Sequence, residues 1–207
     1  MSRGRSRGGR ISSAIAAFLT LPWGGSVEAQ TEASWLFADV SFPAQVDTFV
    51  VVRTERWPEL GRGTVLHYQT AMAPGATFDV HVQVMPAGID EQEGIRADLQ
   101  RAVGELARYR GAGDDRTSVV VDTVRAVAVD VGDRTYEGHV AEATLRTGNR
   151  TGHTLAYVFA KPPSFVRFRI TYEPAQDAVL EPRTERFIRG ILERLESFQD
   201  RPGQGGP

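Results

Sequence analysis

The chain has 207 residues, 41% of them hydrophobic and 24% charged, with no cysteine and a formal net charge of −2 at pH 7. That length suffices for one domain with a sizeable core. The absence of cysteine excludes a disulfide framework, a thiol nucleophile and a lipidated cysteine, and the charge balance argues against nucleic acid or an anionic membrane as the main partner.

At the N-terminus, Arg3, Arg5, Arg7 and Arg10 precede an apolar run from Ile11 to Leu21, a Pro22-Trp23-Gly24-Gly25 break and Val27-Glu28-Ala29. A basic start, an apolar stretch of about ten residues and small residues around a scissile bond make a secretory signal peptide over 1–29, cut after Ala29. The run falls short of the roughly 20 residues that span a bilayer, so no stable membrane insertion is expected once the leader is gone. No Arg-Arg pair stands before it, which points to export in the unfolded state and therefore to no preloaded cofactor. The leader carries four Arg against Glu28, so the remainder stands at −5 where the whole chain stands at −2. The expected location is periplasmic or secreted.

Residues 30–45 read as a lead-in with one apolar cluster, Trp35-Leu36-Phe37, that packs loosely on a single domain over 46–199. Thr48 to Arg53 is a first strand, followed by a Trp57-Pro58-Glu59-Leu60-Gly61 turn and a strand from Thr64 to Thr70. From Thr77 to Met85, Phe78, Val80, Val82 and Val84 alternate with Asp79, His81 and Gln83, the mark of a half-buried strand. The two strands around Pro74-Gly75 form a hairpin.

Asp90 sits at an N-cap position with Glu91 and Glu93 in the first turn behind it, and Ile95, Leu99, Ala102, Val103, Leu106 and Tyr109 form an apolar stripe. Arg108, Arg110 and Gly111 close this helix. A polar loop through Asp114 and Asp115 leads to valine-rich runs, Ser118 to Val124 and Ala126 to Val131, which fit strands covered on both faces. Thr135 to Arg146 and Gly152 to Ala160 flank Thr147-Gly148-Asn149-Arg150-Thr151 and predict a second hairpin. Phe165 to Tyr172 alternates with Val166, Phe168, Ile170 and Tyr172 facing in, Arg167 and Arg169 facing out. A last helix starts near Pro182, suited to a first turn, and buries Phe187, Ile188, Ile191, Leu192, Leu195 and Phe198. The tail from 200 to 207 is Gly/Pro-rich and predicted to be disordered. The whole predicts an α+β domain: a mostly antiparallel sheet of about six strands with two long helices packed on it.

The order of a Pro-Glu-Leu-Gly turn, the Phe78-Asp79-Val80-His81-Val82-Gln83-Val84 strand, a long helix, a valine-rich crossover, a Gly-turn hairpin and a closing helix resembles exported bacterial proteins. The layout over about Val46 to Phe198 is similar to the PsbP-like α/β/α sandwich of lumenal and periplasmic accessory proteins. The resemblance implies a small non-catalytic subunit or assembly factor that docks on a larger envelope complex. It carries no functional residue over, because it rests on element order and not on a motif.

The residues themselves offer little catalytic chemistry. Beyond the leader, none of Ser34, Ser41, Ser118, Ser164 and Ser197 lies in a Gly-x-Ser-x-Gly elbow, and Gly61-Arg62-Gly63 lacks the remaining signature of a phosphate loop. A hairpin closed symmetrically about Pro74 sets His67 opposite His81 on the polar face, with Gln69 and Asp79 one pair away. Two histidines and an aspartate so placed, His67, Asp79 and His81, have the donors for Zn²⁺ or Cu²⁺. The plainer reading is a solvated cross-strand face. Glu137 and Glu142 fall on opposite faces of one strand by parity and form no catalytic pair. Arg167 and Arg169 with Arg146 and Arg150 suggest a basic patch, or scattered surface charge. The expectation is an exported non-catalytic accessory or binding domain with an envelope protein partner and no cofactor. A small-molecule or metal carrier is the alternative, and a hydrolase comes after it.

Overall fold

The computed structural model describes residues 33–35, 40–56, 63–86, 88–108, 117–162 and 164–199. The expected leader, the Trp57 to Gly61 turn, the close of the first long helix at Arg110-Gly111, the Asp114-Asp115 loop and the C-terminal tail lie outside the described residues. Within them the strands are β1 (Ala33–Trp35), β2 (Val40–Phe42), β3 (Gln45–Val46), β4 (Phe49–Arg56), β5 (Thr64–Gln69), β6 (Thr77–Val84), β7 (Thr117–Val131), β8 (Arg134–Thr147), β9 (Arg150–Lys161) and β10 (Ser164–Tyr172). The long helices are α1 (Glu91–Arg108) and α2 (Asp177–Gln199). β1 pairs with β2, and the rest form one antiparallel sheet in the order β3-β4-β5-β6-β10-β9-β8-β7. The α+β architecture with its antiparallel sheet therefore holds, with eight strands where the sequence predicts about six.

The sheet is two meanders, β3 to β6 and β7 to β10, joined along β6 and β10. The helix α1 makes the crossover. Its 18 residues give a rod of about 27 Å, longer than the four strand spacings of about 19 Å from β6 to β7. It therefore delivers the chain to the far edge, and the second meander returns to dock β10 on β6. This makes β7 an edge strand, contrary to the expectation that its valine-rich runs are covered on both faces. Val120, Val121 and Val124 are exposed. The two runs are one continuous strand with an irregularity between Val121 and Thr123, where Asp122 is skipped in the ladder. Such a bulge blunts an edge that would otherwise present a long template for pairing.

The two helices cover opposite faces of the sheet, as the period-2 alternation of β10 makes plain. Val166, Phe168 and Ile170 join the larger core with Leu180, Phe187, Ile188, Ile191 and Leu192 of α2. Phe165 packs on the other side with Ile95 and Leu99 of α1. Gly94 lets α1 lie against the Phe165 ring, which a Cβ would strike. The Asp90 cap forms as predicted, its carboxylate accepting from the Glu93 amide at 3.0 Å. On the α2 side, Phe187 is the hub, with ring centroids 4.8 Å from Phe49, 5.0 Å from Tyr68 and 5.2 Å from Phe78.

Two boundaries differ from the sequence reading. The helix α2 begins at Asp177 and takes Pro182 inside it, because a short 3-10 turn over Pro174–Gln176 starts the winding earlier. Phe42, in the expected lead-in, is buried in the larger core, and the Tyr68 hydroxyl donates to the Pro43 carbonyl at 2.8 Å. That phenol is otherwise enclosed, and burial pushes its pKa upward.

Candidate functional site

On the α1 side, the line where the meanders meet is polar. The ladder sets His67 of β5 beside Asp79 of β6, and Asp79 beside Arg169 of β10; the neighbouring row runs Val65, His81, Arg167. The expected pairing of His67 with His81 is therefore shifted by two residues. The hairpin closes about Ala73 and not Pro74, with Ala73 and Ala76 folded into the core and an Ala76 amide to Ala73 carbonyl bond of 3.1 Å. A shift of two preserves parity, so each side chain keeps its predicted face.

Asp79 is buried and accepts from His67 Nδ1 at 2.8 Å on one oxygen and from Arg169 at 3.0 and 2.6 Å on the other. Burial alone would raise its carboxyl; the His67 hydrogen bond and the Arg169 charge outweigh that and hold it below its usual range. His67 is correspondingly raised, chiefly by the hydrogen bond to Asp79, against its own burial. In the next row His81 is depressed to about 3, first by burial and then by the charges of Arg167 and Arg169. Its Nε2 is enclosed, with no hydrogen-bond partner among the described residues.

Arg167 and Arg169 do not form an outward basic patch. Arg167 is buried under α1, donating to Glu105 at 3.0 Å with its Nε 3.8 Å from Asp98. Asp98 also accepts from Arg101 at 2.9 Å and from Gln83. The face reads as outward by parity alone, and only the placement of α1 makes it an interior. Arg146 and Arg150 are directly opposed to Thr151 and Thr147 at the far β8–β9 hairpin tip, apart from this cluster.

The seam brings His67 and Asp79 into direct contact and leaves His81 one row away. Among the described residues no group of three or more His, Asp or Glu is disposed to hold a metal ion. Arg169 already takes the second oxygen of Asp79, so a cation there would have to displace a guanidinium. Glu137 and Glu142 lie apart, as parity required: Glu142 pairs with Arg125 at 3.0 Å, and Glu137 faces Gln92 of α1 at 3.4 Å.

Two clefts flank the sheet. One, of about 360 Å³, lies between the middle of the β7–β9 ladder and the start of α2, walled by Tyr157 and Tyr172. Burial and the Asp177 carboxylate raise the Tyr172 phenol, and the Arg125–Glu142 pair lines the opposite side. The other, of about 560 Å³, opens where β9 stops covering β8: their ladder ends at Gly138 and Phe159, while β8 continues back to Arg134 beside β7. Its wall includes Lys161, 7% exposed, whose ammonium lies 5.6 Å from the centroid of the Tyr136 ring. Sequence reasoning passed over this site. Its one available signal was that Lys161 is the sole lysine in a chain whose other basic residues are arginine.

No family model and no curated protein matches the sequence. Among solved structures, the chain is similar to the solution structure of cyanobacterial PsbP (CyanoP) from Synechocystis sp. PCC 6803, with a TM-score of 0.45 at 10% identity over 72% of this chain and 82% of that one. It is also similar to a protein of unknown function from Pseudomonas aeruginosa, with a TM-score of 0.43 at 11% identity over 77% of this chain and 93% of that one.

Proposed function

We propose that the chain is exported and serves as a non-catalytic binding domain of the bacterial envelope, docking on another envelope protein. The observation that carries this reading is the closed electrostatics of the seam. Asp79 is saturated by His67 and Arg169, and Arg167 is held by Glu105 and Asp98. A general acid or base needs a group open to substrate, and here both oxygens of the buried Asp79 are taken by His67 and Arg169 while Asp98 and Arg167 are buried against each other on the α1 side. The basic leader supports the address, and no helix among the described residues is long and apolar enough to cross a membrane. Gentle purification of tagged chain from the envelope fraction of its own host, followed by intact-complex mass spectrometry, tests the proposal. The expected result is a reproducible protein partner. A turnover of ester, phosphate or glycoside that depends on one side chain overturns it.

A second reading, a carrier of a small molecule, is favoured by the 560 Å³ cleft beside Lys161. In the metal form of that reading, His67, Asp79 and His81 bind Zn²⁺ or Cu²⁺ in place of the Arg169 contact. Stoichiometric metal after purification, lost in His67→Ala and His81→Ala, is its signature.

A further inference from the structure

The cleft of about 360 Å³ beside the start of α2 draws its side chains from one face of the sheet. His153, Leu155 and Tyr157 alternate along β9 toward the α2 side, and the ladders set Glu142 opposite Leu155 and Tyr172 opposite His153. The bulge in β7 brings Asp122 to the same side, where its carboxylate accepts at 2.8 Å from the hydroxyl of Thr144, the residue paired with His153 on β8. Asp177 and Glu181 stand over them from the first two turns of α2. Four carboxylates thus line the cleft against Arg125 and His153, so two negative charges remain in excess even with both bases counted as cations. Arg125 neutralises Glu142 at 3.0 Å, and His153 lies 3.4 Å from Asp177. Thr144 brings no charge to Asp122, and the exposed Glu181 has no ion pair among the described residues.

We propose that this cleft binds a guanidinium, the head of an arginine side chain presented by the envelope protein on which the chain docks. This deepens the docking reading and rests on it. The walls select an organic cation. Tyr157 is half-buried beside the Leu155 floor, and Tyr172 closes the other side with its ring edge-on to His153 at 5.9 Å. The carboxylates come from three separate elements, and no group of three or more His, Asp or Glu among the described residues is disposed to hold a metal ion. A guanidinium is planar, so it lies against a phenol ring and sends its N–H donors outward to the carboxylates around it. Asp177 and Glu181 stand one helical turn apart, a spacing at which like charges repel and a cation between them relieves the repulsion. Asp177 keeps acceptor capacity for it: a carboxylate has about four acceptor positions, and the Tyr172 hydroxyl and His153 engage two of them. The cleft is at the low end of small-molecule sites, roughly 300–1,000 Å³, which suits a side-chain head.

The probe is N-acetyl-arginine methylamide, added to chain purified from its own host grown on ring-labelled tyrosine, with the Tyr157 signal assigned through Tyr157→Phe. It is compared with its citrulline counterpart, which keeps the shape and lacks the charge, and with its lysine counterpart. The expected result is a saturable shift of the Tyr157 signal with a dissociation constant on the order of 1–10 mM, weakened at least about tenfold for citrulline. Glu181→Gln, a change at an exposed position, is expected to weaken the arginine probe about threefold while the amide spectrum stays native. No shift up to about 50 mM probe overturns the proposal. So does citrulline binding as tightly as arginine, and tighter binding of the lysine counterpart overturns the guanidinium assignment. The source of the guanidinium is read in the envelope, where a partner retained by the native chain is expected to be lost from Glu181→Lys. A partner kept equally by that variant sinks this inference and leaves the docking function intact. Probe binding with no partner recovered refutes the docking reading and, with it, the assignment of the guanidinium to a partner's arginine.

Discussion

Lowering the pH from neutrality sets His81 against the fold. Its neighbours across the ladder are Val65 on β5 and Arg167 on β10, and Asp79, His67 and Arg169 also act on it. Burial and the two guanidinium charges bring its imidazole from the ordinary 6.5 to about 3 in the folded protein. Below pH 6.5 the unfolded chain takes up a proton here that the native chain refuses until about pH 3. Stability therefore falls with pH in that window, approaching about 1.4 kcal/mol per unit once the pH is well below 6.5, and the native state loses about 2 kcal/mol between pH 6.5 and about pH 4.5. Against a total of roughly 5–15 kcal/mol for a domain, that loss is large. Asp79 does not confuse the window: its carboxyl is held below the ordinary 3.8, so its contribution is lost only as the pH falls further. Urea unfolding at a series of pH values, for the native chain and for His81→Leu, isolates the effect. The variant is expected to show a flatter acid limb by about 1.4 kcal/mol per pH unit, whatever its absolute stability. Equal slopes in the two proteins, or a His81 ring signal that titrates near 6.5 in the folded state, would refute the reasoning.

Other perturbations bear on the core and on the seam. Phe187→Ala removes a fully buried ring in contact with Phe49, Tyr68 and Phe78 and is expected to cost about 4–5 kcal/mol in urea unfolding, the upper end for a buried aromatic. A loss under about 1 kcal/mol would mean that α2 does not anchor the sheet as described. Asp79→Asn removes the charge on which His67 and Arg169 converge and is expected to cost about 2–4 kcal/mol, less than for a sealed pair because Arg169 retains some access to water. The same change has a pH signature. His67 is raised in the folded state, so its contribution is complete below pH 6.5 and is lost as pH rises through the folded value. That alkaline decline is expected to vanish in Asp79→Asn, and its persistence would place the origin elsewhere.

The sequence determined the two long helices and most of the strands, and in β6, β10 and α1 which side chains share a face. Phe78, Val80 and Val82 alternate with Asp79, His81 and Gln83 whatever the partner strand, and a register shift of two residues left that assignment untouched. The stripe from Ile95 to Leu106 specified α1, because local spacing fixes which side chains share a face. Tertiary structure decided what lies over each face. Arg167 and Arg169 alternate with apolar residues in a way that reads as solvent-facing, yet Arg167 is buried against Asp98 of α1, and the return of the second meander sets the half-exposed Arg169 on the buried Asp79. Those partners lie 69 and 90 positions away along the chain, and no local pattern encodes so distant a pairing. The same holds at β7, where a valine-rich strand fits the centre of a sheet as well as its edge until strand order is known. Lys161 shows the division most plainly. Its rarity was visible in the sequence, but the cleft around it exists only because β9 ends before β8 does and α1 starts beside the gap.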